Sequence, residues 1–148
     1  MDVNNPSSEG ARFPDGELTH HLAERVPAER LATVEAFARA YTRRLGADRS
    51  TLRPEELAGQ VATAFELVDG RDGEDVAVRV FNPEVERDGY GSSGSVLEVN
   101  TVDSPFLIDS LNEELESRGL AIRRVIHPVI GTQRDGEGRV ERVLDARE

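Results

Sequence analysis

The stretch from Val96 to Ile130, VLEVNTVDSPFLIDSLNEELESRGLAIRRVIHPVI, decides the fold, because a strand, a turn, a helix with both ends and a second strand are all legible in it. Val96, Leu97 and Val99 make a short apolar strand. Asp103-Ser104-Pro105 then supplies polar residues for an N-cap and a proline at the first helical position, so a helix is expected from Pro105 to Arg118. Leu107, Ile108, Leu111 and Leu115 recur at the spacing of one helical face, with Asn112, Glu113, Glu116 and Ser117 opposite. Gly119 ends the helix as a left-handed cap, with Leu120 free to fold back on Leu115. From Ile122 to Ile130 the chain reads as a second strand, and Asp135-Gly136-Glu137-Gly138 turns it into a third, Val140 to Leu144. The local order is β-α-β-β.

Working upstream, Glu84 to Gly94 reads as a polar loop with Gly91-Ser92-Ser93-Gly94 at its tip. The alternation of Val76, Val78 and Val80 with Ala77 and Arg79 predicts a half-buried strand that Asn82-Pro83 ends. Pro54-Glu55-Glu56 opens a helix whose buried face carries Leu57, Val61, Phe65 and Val68. Another helix follows Pro27, with Leu31, Val34, Phe37, Tyr41 and Leu45 in a stripe that Gly46 closes, and a shorter one is expected from Glu17 to Arg25. Three segments result: a disordered lead-in over 1–16, an N-terminal helical segment over 17–50 and an α+β domain over 51–148.

These elements fit a ferredoxin-like antiparallel sheet of strand order 4-1-3-2, circularly permuted so that Val76 to Phe81 takes the slot beside Val96 to Thr101. Helices would cover one face of that sheet. Pro128 places Ile122 to Ile130 at an edge, where a proline is tolerated and where another chain or domain could pair.

With 148 residues, one domain with a helical extension is expected, burying roughly 70% of its unfolded surface. Aromatic content is 5%, so the core is expected to be aliphatic, with Phe37, Phe65, Phe81 and Phe106 as its few large pieces. The formal net charge of -11 disfavours nucleic acid and anionic membranes as partners. Cysteine is absent, which excludes disulfides and thiolate chemistry. No apolar run approaches the ~20 residues of a bilayer span, and the N-terminus lacks a signal-like core, so the chain is read as cytoplasmic. Lysine is absent too: every basic side chain besides histidine is arginine, which excludes Schiff-base chemistry and a lysine general base.

Three motifs then stand together: T-x-D-x-P-F-L-x-D-S over Thr101 to Ser110, R-G-L-x-x-x-x-V-I-H-P-V over Arg118 to Val129, and R-D-x-x-G-R over Arg134 to Arg139. With Ala36 to Tyr41, Pro54 to Gly59 and Val78 to Pro83, they make the chain resemble the N-terminal region of the large bacterial NAD-specific glutamate dehydrogenases, where an ACT-like regulatory domain precedes the catalytic part. The resemblance implies an ACT-like fold and a parent polypeptide that oxidatively deaminates glutamate to 2-oxoglutarate with NAD. It also implies that NAD belongs to the parent and that this chain carries no cofactor and no catalytic residue of its own. Such dehydrogenases are expected to use a lysine base, which this sequence lacks, and no glycine-rich turn leads from a strand into a helix. The implied partners are other domains or subunits of the dehydrogenase, in a homo-oligomer, with an amino-acid effector as a further possibility.

In ACT domains effectors bind near the turn between the first strand and first helix, which matches Thr101, Val102, Asp103, Ser104, Pro105 and Phe106 here. A helix N-terminus suits a carboxylate, but ligand-binding ACT domains place glycine after the proline, and Phe106 stands there, where its ring could fill the pocket. Capping and core packing by the same residues is the preferred reading. His127 is read as a sheet-edge or interdomain contact, Asp109 as an ion-pair partner for Arg123 or Arg124, and adjacent His20 and His21 as no metal site. A free-standing amino-acid sensor using the Thr101 to Phe106 turn is the competing function; a small hydrolase on a ferredoxin-like scaffold is a third, supported by fold analogy alone.

Overall fold

The computed structural model describes residues 15–43, 45, 52–71 and 75–144. The Gly46 helix stop and most of the expected lead-in lie outside them. Asp15 and Gly16 open the first helix, α1, Asp15–Ala23. A 3-10 turn at Ala28–Arg30 follows Pro27 and leads into α2, Leu31–Thr42. In α2 the expected stripe is the buried one: Val34, Phe37 and Tyr41 are all sheltered, and Leu45 beyond the helix is only 4% exposed.

Helix α3, Pro54–Asp69, starts at the expected proline with Glu55 and Glu56 in its first turn, and the Arg53 N–H donates to Glu56 Oε2 at 3.5 Å. It is the central element, buried at seven positions that include Gly59, Gln60 and Thr63 as well as the apolar face. Phe65 meets Phe37 edge-on with ring centroids 5.3 Å apart, a favoured aromatic geometry. The core is mainly helical, built on Leu22, Val34, Leu57 and Val61, with Val140 contributed from the C-terminal hairpin.

Strands β1, Ala77–Phe81, and β2, Val96–Asn100, pair antiparallel as expected, in a register that sets Val78 opposite Val99 and Arg79 opposite Glu98. Between them lies a helical turn the sequence reading took for loop: α4, Val85–Asp88, capped by Asp88 Oδ2 on the Glu84 N–H at 2.9 Å and ended by Gly89 at φ 79. The faces of the hairpin are the reverse of expectation. Val76, Val78 and Val80 are 59%, 57% and 67% exposed, while Ala77, Arg79 and Phe81 turn inward.

Two further expectations are corrected. Helix α5, Leu107–Ser117, begins two residues late: Pro105 and Phe106 form a turn, and Phe106 is the N-cap in a left-handed conformation (φ 63, ψ 10) with no side-chain cap bond. Its ring is 76% exposed and belongs to no core, and Phe81 is only half-buried. The C-terminal end is as expected, a Schellman ending with Leu120 N–H donating to Leu115 O (3.0 Å) and Gly119 N–H to Glu116 O (2.9 Å) at φ 76.

Secondly, Ile122 to Ile130 is not a strand. Pro128 withholds a donor from any ladder, and Ile122, Ile126 and Ile130 are half-buried at a spacing of four, the last two packed on the helical core. The strand β3 comes later, Gly131–Arg134, and pairs antiparallel with β4, Val140–Leu144, through the expected Asp135–Gly138 turn, whose Gly138 has φ 85. Among the described residues the result is two two-stranded sheets, β1-β2 and β3-β4, where a single four-stranded sheet was expected. The class remains α+β with antiparallel pairing.

Candidate functional site

The residues singled out from the sequence do not converge on a pocket. Thr101 is half-buried, whereas Val102, Asp103, Ser104, Pro105 and Phe106 are exposed along one loop between β2 and α5. Phe106 takes the backbone conformation that glycine adopts freely, but its ring points into solvent and fills nothing. The His127 side chain is exposed and has no hydrogen bond or ion pair among the described residues. Arg123 donates to Ser93 Oγ at 2.9 Å, and Asp109 is not its partner. His20 and His21 each approach Glu24, and His21 also approaches Glu55 at 3.9 Å. Among the described residues no group of three or more His, Asp or Glu is placed to hold a metal ion.

The polar chemistry lies instead between the β1-β2 hairpin and the helices. Arg79 Nη2 donates to Glu98 Oε2 at 2.6 Å and to the Thr63 carbonyl at 2.7 Å, with its guanidinium 4.8 Å from the centre of the Phe81 ring. These contacts turn the charged face of β1 toward α3 and leave the valines outside. Burial raises the Glu98 carboxyl above the ordinary glutamate range, against the lowering effect of Arg79. Tyr41 is pushed up to about 12, first by burial and then by the Glu98 charge, and Tyr90 is also raised, again chiefly by burial.

Beside this layer a cleft of about 690 Å³ opens between the α1–α2 connection, α3 and the hairpin. Five arginines line it, Arg25, Arg30, Arg79, Arg87 and Arg139, against the carboxylates Glu66, Asp69 and Asp88. Asp69, at the last turn of α3, accepts from Arg30 Nη2 and from the Val140 N–H, both at 2.8 Å, and lies 3.7 Å from Arg139. Asp88 is held below the usual carboxylate range, first by its bond from Arg87 and also by the Glu84 N–H. Below the cleft, Arg134 Nη1 donates to the carbonyls of Val68 (2.9 Å), Arg71 (3.2 Å) and Gly138 (2.7 Å), tying the negative end of the α3 dipole to the C-terminal hairpin. The cleft walls are therefore fixed to one another by charge-assisted bonds.

Sequence reasoning missed Arg79, Glu98, Asp69 and Arg134 as organising residues. One signal was available for the first pair, since charged residues of opposite sign sit at the centre of two neighbouring strands otherwise made of valine and leucine. The long-range partners of Asp69 and Arg134 have no local signature.

Comparison with known proteins follows the motifs. Over 133 residues the chain is 30% identical to the NAD-specific glutamate dehydrogenase of Halomonas elongata, covering 89% of this chain and 8% of that protein. Over 129 residues it is 31% identical to the enzyme of the same name from Pseudomonas aeruginosa, covering 86% of this chain and again 8% of the relative. No solved structure matches. Residues 37–148, spanning α2 to the C-terminus, match the family described as "Glutamate dehydrogenase, ACT1 domain", and the chain belongs to that family.

Proposed function

We propose that this chain is a noncatalytic regulatory and assembly module of an NAD-dependent glutamate dehydrogenase, working by docking to other domains of that polypeptide. The observation that carries the reading is the outward aliphatic face of the β1-β2 hairpin. Val76, Val78, Val80 and Leu97 (38% exposed) stand on it, while the charged residues of both strands point inward. Helix α5 adds an apolar stripe of which no residue is fully buried. The absence of lysine supports a noncatalytic role.

Magnitude selects the occupant. Covering these four half-exposed side chains is worth about 3–5 kcal/mol. A second copy would cover the same face on both chains, worth about 6–10 kcal/mol, which at most offsets the estimated 4–15 kcal/mol that free association costs, so the face alone sustains only a weak dimer. A tethered neighbour has a much smaller association cost, and the chain spans only 8% of the length of its relatives. A neighbouring domain with an uncharged apolar surface is therefore the occupant.

The test uses the Pseudomonas aeruginosa relative with its matching segment deleted, incubated with this chain. The wild-type chain is expected to bind it and to change its kinetics of glutamate-dependent NAD reduction, while the chain alone gives no turnover. Val78→Glu with Val80→Glu is expected to abolish binding without unfolding, since both side chains face solvent in the isolated chain. Equal binding by wild type and double variant, or none by either, overturns the reading.

A further inference from the structure

The alternation that marks β3 begins before its ladder does. Exposed and half-buried side chains alternate without a break over residues 125–134, the period of two characteristic of a strand, yet pairing with β4 starts only at Gly131, opposite Leu144. Residues 125–130 make no main-chain hydrogen bond with any described residue. Their composition is that of a strand: Val125-Ile126-His127-Pro128-Val129-Ile130 contains none of the Gly, Asn, Asp or Ser that surface loops favour. The segment is nevertheless anchored. Ile126 and Ile130 pack on the helical core, β3 continues directly from it, and just ahead of it Arg123 Nη1 donates to Ser93 Oγ at 2.9 Å.

Pro128 distinguishes the two edges of this segment. In an antiparallel strand the N–H and C=O of one residue point to one side and those of the next residue to the other. Pro128 takes a donor from the edge of the even-numbered residues, whereas Val125, His127 and Val129 keep every N–H and C=O on theirs. The side chains of these three are also exposed, Val125 by 46% and Val129 by 56%. We propose that the edge formed by Val125, His127 and Val129 accepts a β-strand from the remainder of the dehydrogenase polypeptide, and so extends to the main chain the docking proposed above, on which it rests. Strand addition of this kind takes affinity from the ladder and specificity from alternate side chains. Here the added strand carries aliphatic residues beside Val125 and Val129 and a carboxylate toward Arg123 and Arg124, which have no acidic partner among the described residues. A second copy fits worse. No carboxylate lies between residues 120 and 130, so self-pairing sets cation against cation, and each chain has a net charge of -11. The parent polypeptide has chain to supply, since this one spans 8% of the length of its relatives.

Amide hydrogen exchange tests the main chain directly. In the isolated chain the amides of Val125, His127 and Val129 should exchange freely, and on capture of the Pseudomonas aeruginosa relative lacking its matching segment they should slow by about tenfold or more. Val125→Pro removes one donor and should weaken capture by about tenfold, whereas Val125→Thr keeps the N–H and the β-branched shape and should hold capture within about threefold. Both variants should leave the urea midpoint of the isolated chain unchanged, because the Val125 N–H bonds to no described residue. Capture that leaves these amides fast, or that treats the two variants alike, overturns strand addition and leaves docking through the valine face standing. No capture at all overturns both. Protection that appears with dimerisation of the chain by itself makes a second copy the occupant and overturns the choice of partner.

Discussion

Replacing Gly59 with alanine separates two opposed effects by sign. Gly59 lies inside α3, where alanine is intrinsically better than glycine by about 1 kcal/mol. If α3 were merely a helix at that point, Gly59→Ala would stabilise the protein. The structure predicts the reverse. A Cβ at Gly59 would sit 2.5 Å from the carbonyl oxygen of Asp88, 2.8 Å from the Gly89 carbonyl carbon and 2.9 Å from the Gly89 Cα. All three are backbone atoms, so no side chain can rotate away. Ordinary carbon contacts begin near ~3.5 Å, and the α4 segment would have to retreat by roughly 1 Å.

Overpacking of this kind costs about 1–3 kcal/mol, and a contact between two backbones belongs in the upper part of that range. After the helix-propensity gain, a net loss of about 1–2 kcal/mol is expected. Urea unfolding followed by circular dichroism reads it as a lower midpoint at unchanged slope. Gly16→Ala in α1 is the matched control, because nothing lies within 4 Å of its Cβ, and it should be neutral or stabilising by up to about 1 kcal/mol. A Gly59→Ala protein as stable as Gly16→Ala, or more so, would refute the close approach of α3 to α4. It would also remove the basis for placing Asp88 at the cleft wall.

Three further outcomes follow from the buried polar layer and the α5 entry. Glu98 titrates above its unfolded value because of burial, so the native state keeps its proton while the unfolded chain loses it, and this group's contribution to stability falls as pH rises through the glutamate range. Glu98→Gln should therefore gain on wild type as pH increases, measured by urea midpoints across the acidic range; a pH-independent gap would contradict the burial. Tyr41 and Tyr90 are the chain's two tyrosines and both are raised, Tyr41 to about 12, so a spectroscopic titration should show no phenolate near the ordinary value of ~10 until the protein unfolds. Phe106→Gly should stabilise by up to about 1 kcal/mol, since a left-handed L-residue costs roughly 1–2 kcal/mol and the exposed ring gives little in return; a loss of thermal stability would mean that Phe106 packs on something.

Helix periodicity was readable because it depends on neighbours one turn away. The buried stripes of α2 and α3, the Pro54 start, the Gly119 ending and the Asp135–Gly138 turn are all set by residues within a few positions of one another. The start of α5 was misplaced by the same kind of rule, since proline at N1 competes with a Pro105-Phe106 turn that local chemistry does not separate. Ile122 to Ile130 misled because β-branched residues suit a strand wherever they occur, while the spacing of its half-buried isoleucines at four and Pro128 argued for packing on helices. The cleft was invisible for a different reason: Arg25 and Gly89 meet across 64 positions of sequence, and Asp69 and Val140 across 71.

The hairpin faces are the most instructive failure, because the rule that failed is physically sound. Alternation shows that two faces differ, and the apolar one was assigned to the core because apolar surface is driven from water. In the isolated chain the assignment is reversed: Arg79 finds the Thr63 carbonyl, Glu98 and the Phe81 ring on the inner side, and the valines are left in solvent. The two observations agree if the relevant unit of burial is larger than this chain. A hairpin that must satisfy a helical layer beneath it and an apolar surface above it is selected for polar groups below, where they hydrogen-bond, and valines above, where they are covered. On that reasoning Val80, the most exposed of the three valines, should be among the most protected from solvent in the assembled dehydrogenase. Labelling a cysteine placed at that position should be fast in the isolated chain and slow once the remaining domains are bound. Equal labelling rates would place the covering surface somewhere other than on this face.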